Sequence, residues 1–260
     1  MFLEPFQYVL GAVSGGLVGF TLGLFGGGGS ILAVPLMVYL VGVPLPHVAI
    51  GTSAFAVAAN AAGNLLIHAR KGNVLWRCAF MYAGAGVLGA LIGSILGKAV
   101  PGQHLLLLFS LLMAAIGVNM LRRGAGQGTA GASCNREKAP RVLAYGGATG
   151  VLSGFFGIGG GFLIVPGLVA STGMPILNAI GSSLFAVMAF GLTTALSYAF
   201  SGLVDWPLAA VFIAGGALGG LAGARIAAAL AMRQRALTVT FGFMVIVVAG
   251  YMALKSLSAV

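Results

Sequence analysis

The stretch that decides the fold is Gly23-Leu-Phe-Gly-Gly-Gly-Gly-Ser-Ile-Leu-Ala-Val-Pro35, and it occurs twice. The second copy, 131 residues later, is Gly154-Phe-Phe-Gly-Ile-Gly-Gly-Gly-Phe-Leu-Ile-Val-Pro166. Both copies interrupt long apolar runs, where glycine is unfavourable because it loses the most backbone freedom on ordering and weakens helix interiors. A glycine cluster in such a place indicates backbone that is left free to bind something. We therefore interpret the two copies as paired broken-helix sites.

The composition is that of an integral membrane protein. Of the 260 residues, 60% are hydrophobic and only 6% are charged, whereas about 25% are charged in a soluble domain. The apolar runs are long and show no two-residue alternation, which excludes a membrane β-barrel because barrel strands alternate polar and apolar residues. We predict an all-α polytopic membrane protein that lies in the lipid bilayer of the cell membrane.

The apolar segments form two repeats of five. We assign residues 1–121 to the first transmembrane repeat, 122–141 to a basic linker and 142–260 to the second repeat. The segment after each glycine cluster is short: residues 31–42 cover about 18 Å as a helix, against roughly 30 Å of hydrocarbon. We predict eight full spans plus two short segments, about ten in all.

The loops that join the third and fourth segments of each repeat carry opposite charge. The first is Arg70-Lys-Gly-Asn-Val-Leu-Trp-Arg77, and its counterpart, Ser201-Gly-Leu-Val-Asp-Trp206, has no cation. Because basic loops stay in the cytoplasm, the repeats are expected to be inverted, with the linker cytoplasmic and both termini external. The loop charges determine only whether the number of crossings between two loops is even or odd. The short segments therefore either cross the bilayer or enter it as re-entrant hairpins, and we favour crossing.

A glycine-rich turn that opens a helix can bind an anion without a cation, because it offers free backbone N–H groups at the positive end of the helix dipole. A Gly-[Thr/Ser]-Ser motif opens a later helix in each repeat and adds hydroxyl donors. The alternative is that these glycines only allow close helix packing. We favour packing for the glycines of the fourth segments and binding for the clusters. The candidate substrate-binding residues are Gly26, Gly28, Gly29, Ser30, Thr52, Ser53, Gly157, Gly159, Gly160, Gly161, Ser182 and Ser183.

The distribution of charge also favours an anion. The three acidic residues, Glu4, Glu137 and Asp205, fall at segment ends or in loops, whereas cation transporters and proton pumps carry carboxylates at membrane depth.

Three further polar residues lie within the spans. Arg225 either pairs with an anionic substrate or snorkels to the interface, and we favour snorkelling. Asn60 and Asn64 either line a path or hydrogen-bond between helices.

Enzyme motifs are missing from the sequence. There is no Walker A motif, no metal-ligand spacing such as HExxH and no carboxylate dyad, so we expect no catalysis, no cofactor and no metal. His47, His68 and His104 are scattered, and Cys78 and Cys134 are isolated, so we expect two unpaired thiols. The net charge of +10 is explained by loops that set topology rather than by nucleic-acid binding.

Two copies of G-x-F-G-x-G-G-x-x-L-x-V-P, each followed by G-[TS]-S, resemble the TauE/SafE sulfite-exporter family of membrane permeases over essentially the whole chain. The resemblance implies a secondary transporter that exports sulfur-containing anions such as sulfite, sulfonates or thiosulfate. A passive anion channel, or a membrane-bound maturation partner without transport activity, would be the alternatives. The motif positions are Gly26, Gly28, Gly29, Pro35, Thr52 and Ser53 in the first repeat and Gly157, Gly159, Gly160, Pro166, Ser182 and Ser183 in the second.

Overall fold

The computed structural model describes residues 4–123, 134, 137–158, 161–229 and 234–257. These residues form ten helices and no strand, which confirms the predicted all-α class. The helices are α1 (Pro5–Phe25), α2 (residues 26–40), α3 (Pro46–Arg70), α4 (Trp76–Ala99), α5 (Gly102–Arg123), α6 (Ala139–Phe156), α7 (Gly161–Thr172), α8 (Ile176–Ala199), α9 (Trp206–Ala229) and α10 (Gln234–Leu257).

Helix length and composition agree with a polytopic membrane protein. Within the described residues, six helices are long and apolar enough to cross a membrane: α1, α3, α4, α5, α8 and α9. The two segments that the sequence predicts to be short are short, because apolar helix covers only Gly29–Leu40 in α2 and Leu163–Thr172 in α7.

The first glycine cluster is helical, which differs from the glycine-rich turn that the sequence predicts. Residues Gly26–Leu32 form a 3₁₀ helix, Ala33–Pro35 a turn of α-helix and Leu36–Leu40 a π-helical turn. Side chains three residues apart eclipse one another in a 3₁₀ helix, so a run of glycine suits it. The chain thus reverses directly from α1 into the irregular helix α2.

Glycine stripes join the two repeats. Helix α1 packs along α9, and the equivalent pair is α6 along α4. A Cβ on Gly15 would overlap the backbone of Phe212, and one on Gly23 would overlap the backbone at Gly220. Small residues let backbones in a membrane approach this closely. The same holds for the glycines of α4 that face α6, Gly89, Gly93 and Gly97.

The two repeats run in opposite directions. Helices α3 and α8 are antiparallel, because Gly51 near the start of α3 meets Tyr198 near the end of α8, and Gly191 meets Ala54 and Ala58. The turns after α3 and α8 reverse the chain, so α4 and α9 are also opposed. We call the turn between α3 and α4 the α3–α4 end and the turn between α8 and α9 the α8–α9 end.

The expectation of two unpaired thiols is wrong. Cys78 and Cys134 form a disulfide with their Cα atoms 5.6 Å apart, and both residues are buried. Sequence spacing gave no sign of it, because only the fold brings the linker to the first turn of α4. Most of the predicted linker, 122–141, lies outside the described residues. Its far end is held by Lys138, whose Nζ donates to the Thr172 carbonyl over 2.8 Å.

Candidate functional site

Each glycine motif meets the hydroxyl-bearing helix of the opposite repeat. Gly26 lies against Ile180, where an added Cβ would be 3.1 Å from the carbonyl oxygen, and Gly157 lies against the side chain of Ile50. Ile180 and Ile50 come directly before Gly-Ser-Ser and Gly-Thr-Ser respectively. The fold therefore brings the two motif types together as two repeat-related contacts, which we call the α2 junction (Gly26 with Ile180) and the α7 junction (Gly157 with Ile50).

The middle hydroxyl of each motif supports the start of a neighbouring helix. Thr52 Oγ1 accepts a hydrogen bond from the Asp205 backbone N–H at 2.9 Å. Ser182 Oγ accepts one from the Leu75 N–H, also at 2.9 Å. These two bonds are repeat-related and cross between repeats. The oxygens are therefore acceptors for backbone, and each hydroxyl keeps its own proton to donate.

The adjacent serines are oriented by their own helices. Ser53 Oγ donates to the Ile50 carbonyl over 3.0 Å, and Ser183 Oγ donates to the Ile180 carbonyl over 2.8 Å. Both side chains are buried, as is Ser30 in α2. Ile50 and Ile180 are the isoleucines that Gly157 and Gly26 contact. Each serine hydroxyl therefore lies at a junction, bonded to the carbonyl of the junction isoleucine.

Some glycines of the clusters have structural roles. Gly26 and Gly157 end α1 and α6 with φ of 64° and 67°, a backbone that L-residues rarely adopt. Gly29 touches the backbone of Thr21 and Leu22, so the 3₁₀ turn folds back on α1. Gly28 belongs to the same turn.

In the second repeat the cluster is only partly described. Gly161 is buried at the first position of α7. Gly159 and Gly160 lie outside the described residues.

The two junctions are not one site. Ile180 is at the α2 junction, and Tyr198 contacts Gly51 beside the α7 junction. These two residues of α8 are about five turns apart, or about 27 Å. One small anion cannot contact both places at once, so the geometry gives two repeat-related positions towards opposite ends of the α3–α8 pair.

Two polar side chains that sequence reasoning missed lie beside these motifs. Tyr198 and His68 occupy equivalent positions in α8 and α3, and both are buried. The Tyr198 hydroxyl and the His68 Nδ1 have no hydrogen-bond partner within the described residues. The carbonyls of both residues accept the N–H of a turn residue, Leu203 and Asn73 respectively, and those turn residues contact Gly51 and Gly181. The sequence contains a signal that could have identified them. When the two repeats are aligned, Tyr198 and His68 fall at the same position, and both are polar aromatic residues within apolar spans.

The three further polar candidates lie on two different surfaces. Asn60 and Asn64 are buried where α3 meets Gly216 and Gly220 of α9. Asn64 Nδ2 donates to the Asn60 backbone carbonyl over 3.0 Å, and the Asn64 Oδ1 has no partner in the described residues. Arg225 is exposed on α9, directly after Ala224, whose backbone lies against Gly23 near the end of α1.

Comparison with known proteins gives matches over nearly the whole chain. The family model described as "Sulfite exporter TauE/SafE" matches residues 11–252. A protein of Xylella fastidiosa (strain 9a5c) named "Probable membrane transporter protein" is 54% identical over 247 residues, which is 94% of each chain. Another of the same name, from Haemophilus influenzae, is 33% identical over 72% of each chain, and "Probable membrane transporter protein YdhB" of Bacillus subtilis is 27% identical over 80% of this chain and 86% of its own. No solved structure matches. The family match includes both glycine motifs and both hydroxyl motifs.

Proposed function

This chain belongs to the sulfite exporter TauE/SafE family, and from that premise we propose that it is a secondary transporter that exports small sulfur-containing anions such as sulfite, sulfonates or thiosulfate. The binding groups are the N–H groups of the glycine clusters and the hydroxyls of the Gly-[Thr/Ser]-Ser motifs.

The observation that carries this proposal is the pairing of a glycine turn with a buried hydroxyl motif at each junction. A backbone N–H group binds an anion without itself being charged, so the binding groups remain neutral when the anion leaves. The acidic residues support the same substrate class. Glu4, Glu137 and Asp205 all precede helices, at α1, α6 and α9, so no carboxylate at membrane depth repels an anion.

The inverted arrangement suggests how access alternates. Each junction contains residues of both repeats, so a relative movement of the repeats changes both contacts. Inverted-repeat transporters open to one side and then to the other by such a movement. We propose that the α3–α4 end faces the cytoplasm and the α8–α9 end faces outwards, because Arg70, Lys71 and Arg77 lie at the former.

Flux in proteoliposomes tests this function. Purified protein should take up radiolabelled sulfite or thiosulfate above the background of empty vesicles. Uptake should saturate and should be accelerated by unlabelled sulfite trapped inside, because a carrier returns loaded faster than empty. Uptake without saturation or counter-flow would make the protein a channel. Absence of flux for every sulfur anion, in protein that remains folded, would leave a maturation partner as the better account.

A further inference from the structure

At the α8–α9 end, two neighbouring rings each carry a buried polar atom that has no partner within the described residues. The Tyr198 hydroxyl and the His47 Nδ1 both lack a hydrogen-bond partner within the described residues. Their ring centroids are 6.3 Å apart, and Tyr198 is fully buried, with 0% of its surface exposed. Buried polar groups are almost always paired, and those of membrane proteins most strictly. Two such atoms on neighbouring rings, neither of them bonded to the other, therefore indicate a ligand between them.

A cation lies beside the Tyr198 ring. Lys98 Nζ lies 5.7 Å from the centre of the Tyr198 ring, held at 3.0 Å from the Ser197 carbonyl and from Ser201 Oγ. His47 is in the first turn of α3, where the helix dipole favours negative charge. The carboxylate at this end, Asp205, caps the start of α9, because its Oδ1 accepts the Leu208 N–H at 3.0 Å.

The position is also next to the α7 junction. Tyr198 Cβ is one of the atoms nearest to Gly51, which begins the Gly-Thr-Ser motif. A tyrosine hydroxyl and an imidazole N–H are both donors, and both suit an oxyanion.

We propose that the Tyr198 hydroxyl and the His47 imidazole donate hydrogen bonds to the transported anion, in a site at the α8–α9 end that Lys98 keeps positive. The inference rests on the proposed transport of sulfur oxyanions and names the side chains that hold them. The opposite end has only part of this set. His68 matches Tyr198, but the equivalents of His47 and Lys98 are Leu177 and Ala228. The α8–α9 site therefore binds the anion more tightly.

Two buried tyrosines provide a matched test. Tyr82, like Tyr198, is fully buried, but its hydroxyl is hydrogen-bonded to Thr149 at 2.8 Å. Each is replaced by phenylalanine, and sulfite and thiosulfate are titrated into purified protein while the melting temperature and the uptake rate are measured. Tyr198→Phe should leave the ligand-free melting temperature unchanged and weaken anion affinity about 10- to 100-fold. Tyr82→Phe should lower the melting temperature and leave affinity unchanged.

Two variants of His47 test the second proposed donor. His47→Gln retains an N–H donor and should keep more affinity than His47→Leu. Wild-type affinity in Tyr198→Phe, or a melting temperature as low as that of Tyr82→Phe, would overturn the inference and leave the transport proposal standing. Anion binding that depends on Tyr198 but is accompanied by no flux would instead refute transport. Wild-type protein that binds neither sulfite nor thiosulfate would refute both.

Discussion

The two ends of the bundle share one backbone design and differ in the side chains placed on it. At both ends a glycine turn contacts an isoleucine, and a threonine or serine oxygen accepts the N–H before a long helix. The α8–α9 end adds Tyr198 with His47 and Lys98. The α3–α4 end instead adds exposed cations and a disulfide. The contacts that the inverted fold requires, glycine with isoleucine and hydroxyl with backbone N–H, thus occur at both ends. The side chains that distinguish one end from the other occur at one end only.

The largest effects should come from the shared design. Valine at Gly26 or at Gly157 must adopt a positive φ, which costs about 1–3 kcal/mol, and must also displace Ile180 or Ile50. Both Gly26→Val and Gly157→Val should abolish sulfite uptake in proteoliposomes. Substitution by valine at Ile31, a buried residue of α2, is the control and should keep most activity. Loss of uptake in only one glycine variant would contradict the equivalence of the junctions.

The disulfide lies at the end that we propose to face the cytoplasm, where thiols are kept reduced, so its effect is tested in purified, oxidised protein. It closes a loop across a sequence separation of 56 residues, and breaking such a bridge typically costs about 2–4 kcal/mol. Cys78→Ser should lower the melting temperature of the purified protein, and a reducing agent should do the same to the wild type. The reducing agent should then have no further effect on Cys78→Ser. A wild-type protein indifferent to reduction would show that the bridge does not stabilise the linker.

The hydroxyl acceptors Thr52 and Ser182 should contribute equally to the stability of the folded protein. Thr52→Ala and Ser182→Ala each leave a backbone N–H, of Asp205 or Leu75, without its acceptor, at a cost of about 1–3 kcal/mol. Both variants should melt several degrees lower by similar amounts, and Thr52→Ser should melt like the wild type. A clear inequality between the two alanine variants would mean that the ends differ in their scaffold as well as in their side chains.

Substitution of Arg225 should have the smallest effect on sulfite affinity and melting temperature. It is exposed on α9, in the last turn of the candidate span Trp206–Ile226, where an arginine extends its guanidinium to the interface. Arg225→Gln should therefore keep sulfite affinity and melting temperature close to wild type. A tenfold loss of affinity would place the guanidinium on the substrate path and reverse the snorkelling interpretation.

The sequence predicted what repetition and periodicity encode. Short α2 and α7 follow from the spacing of glycine and proline, and the inverted repeats follow from the alignment of Gly51 with Gly181 and from the opposed loop charges. The packing role of Gly89 and Gly93 follows from their four-residue spacing. The contacts of Gly26 with Ile180 and of Gly157 with Ile50 could not be predicted, because they form between repeats.

Features that depend on contacts between residues far apart in the sequence could not be predicted correctly. The Cys78–Cys134 bridge joins the start of α4 to a linker whose sequence has no periodicity. The missing partner of the Tyr198 hydroxyl is a property of the folded environment and of nothing local. The sequence predicts a turn where Gly26–Leu32 form a 3₁₀ helix, because glycine weakens an α-helix but fits the tighter helix.

The sidedness of labelling tests the central claim, that equivalent junctions face opposite sides of the membrane. Lys71 and Ser201 are repeat-related and exposed, one at each end. Each is replaced by cysteine in a chain that also carries Cys78→Ser and Cys134→Ser, and intact cells are treated with a membrane-impermeant maleimide. The account predicts that Ser201→Cys is labelled at once and that Lys71→Cys is labelled only after the membrane is permeabilised. Labelling of both from the same side would contradict it.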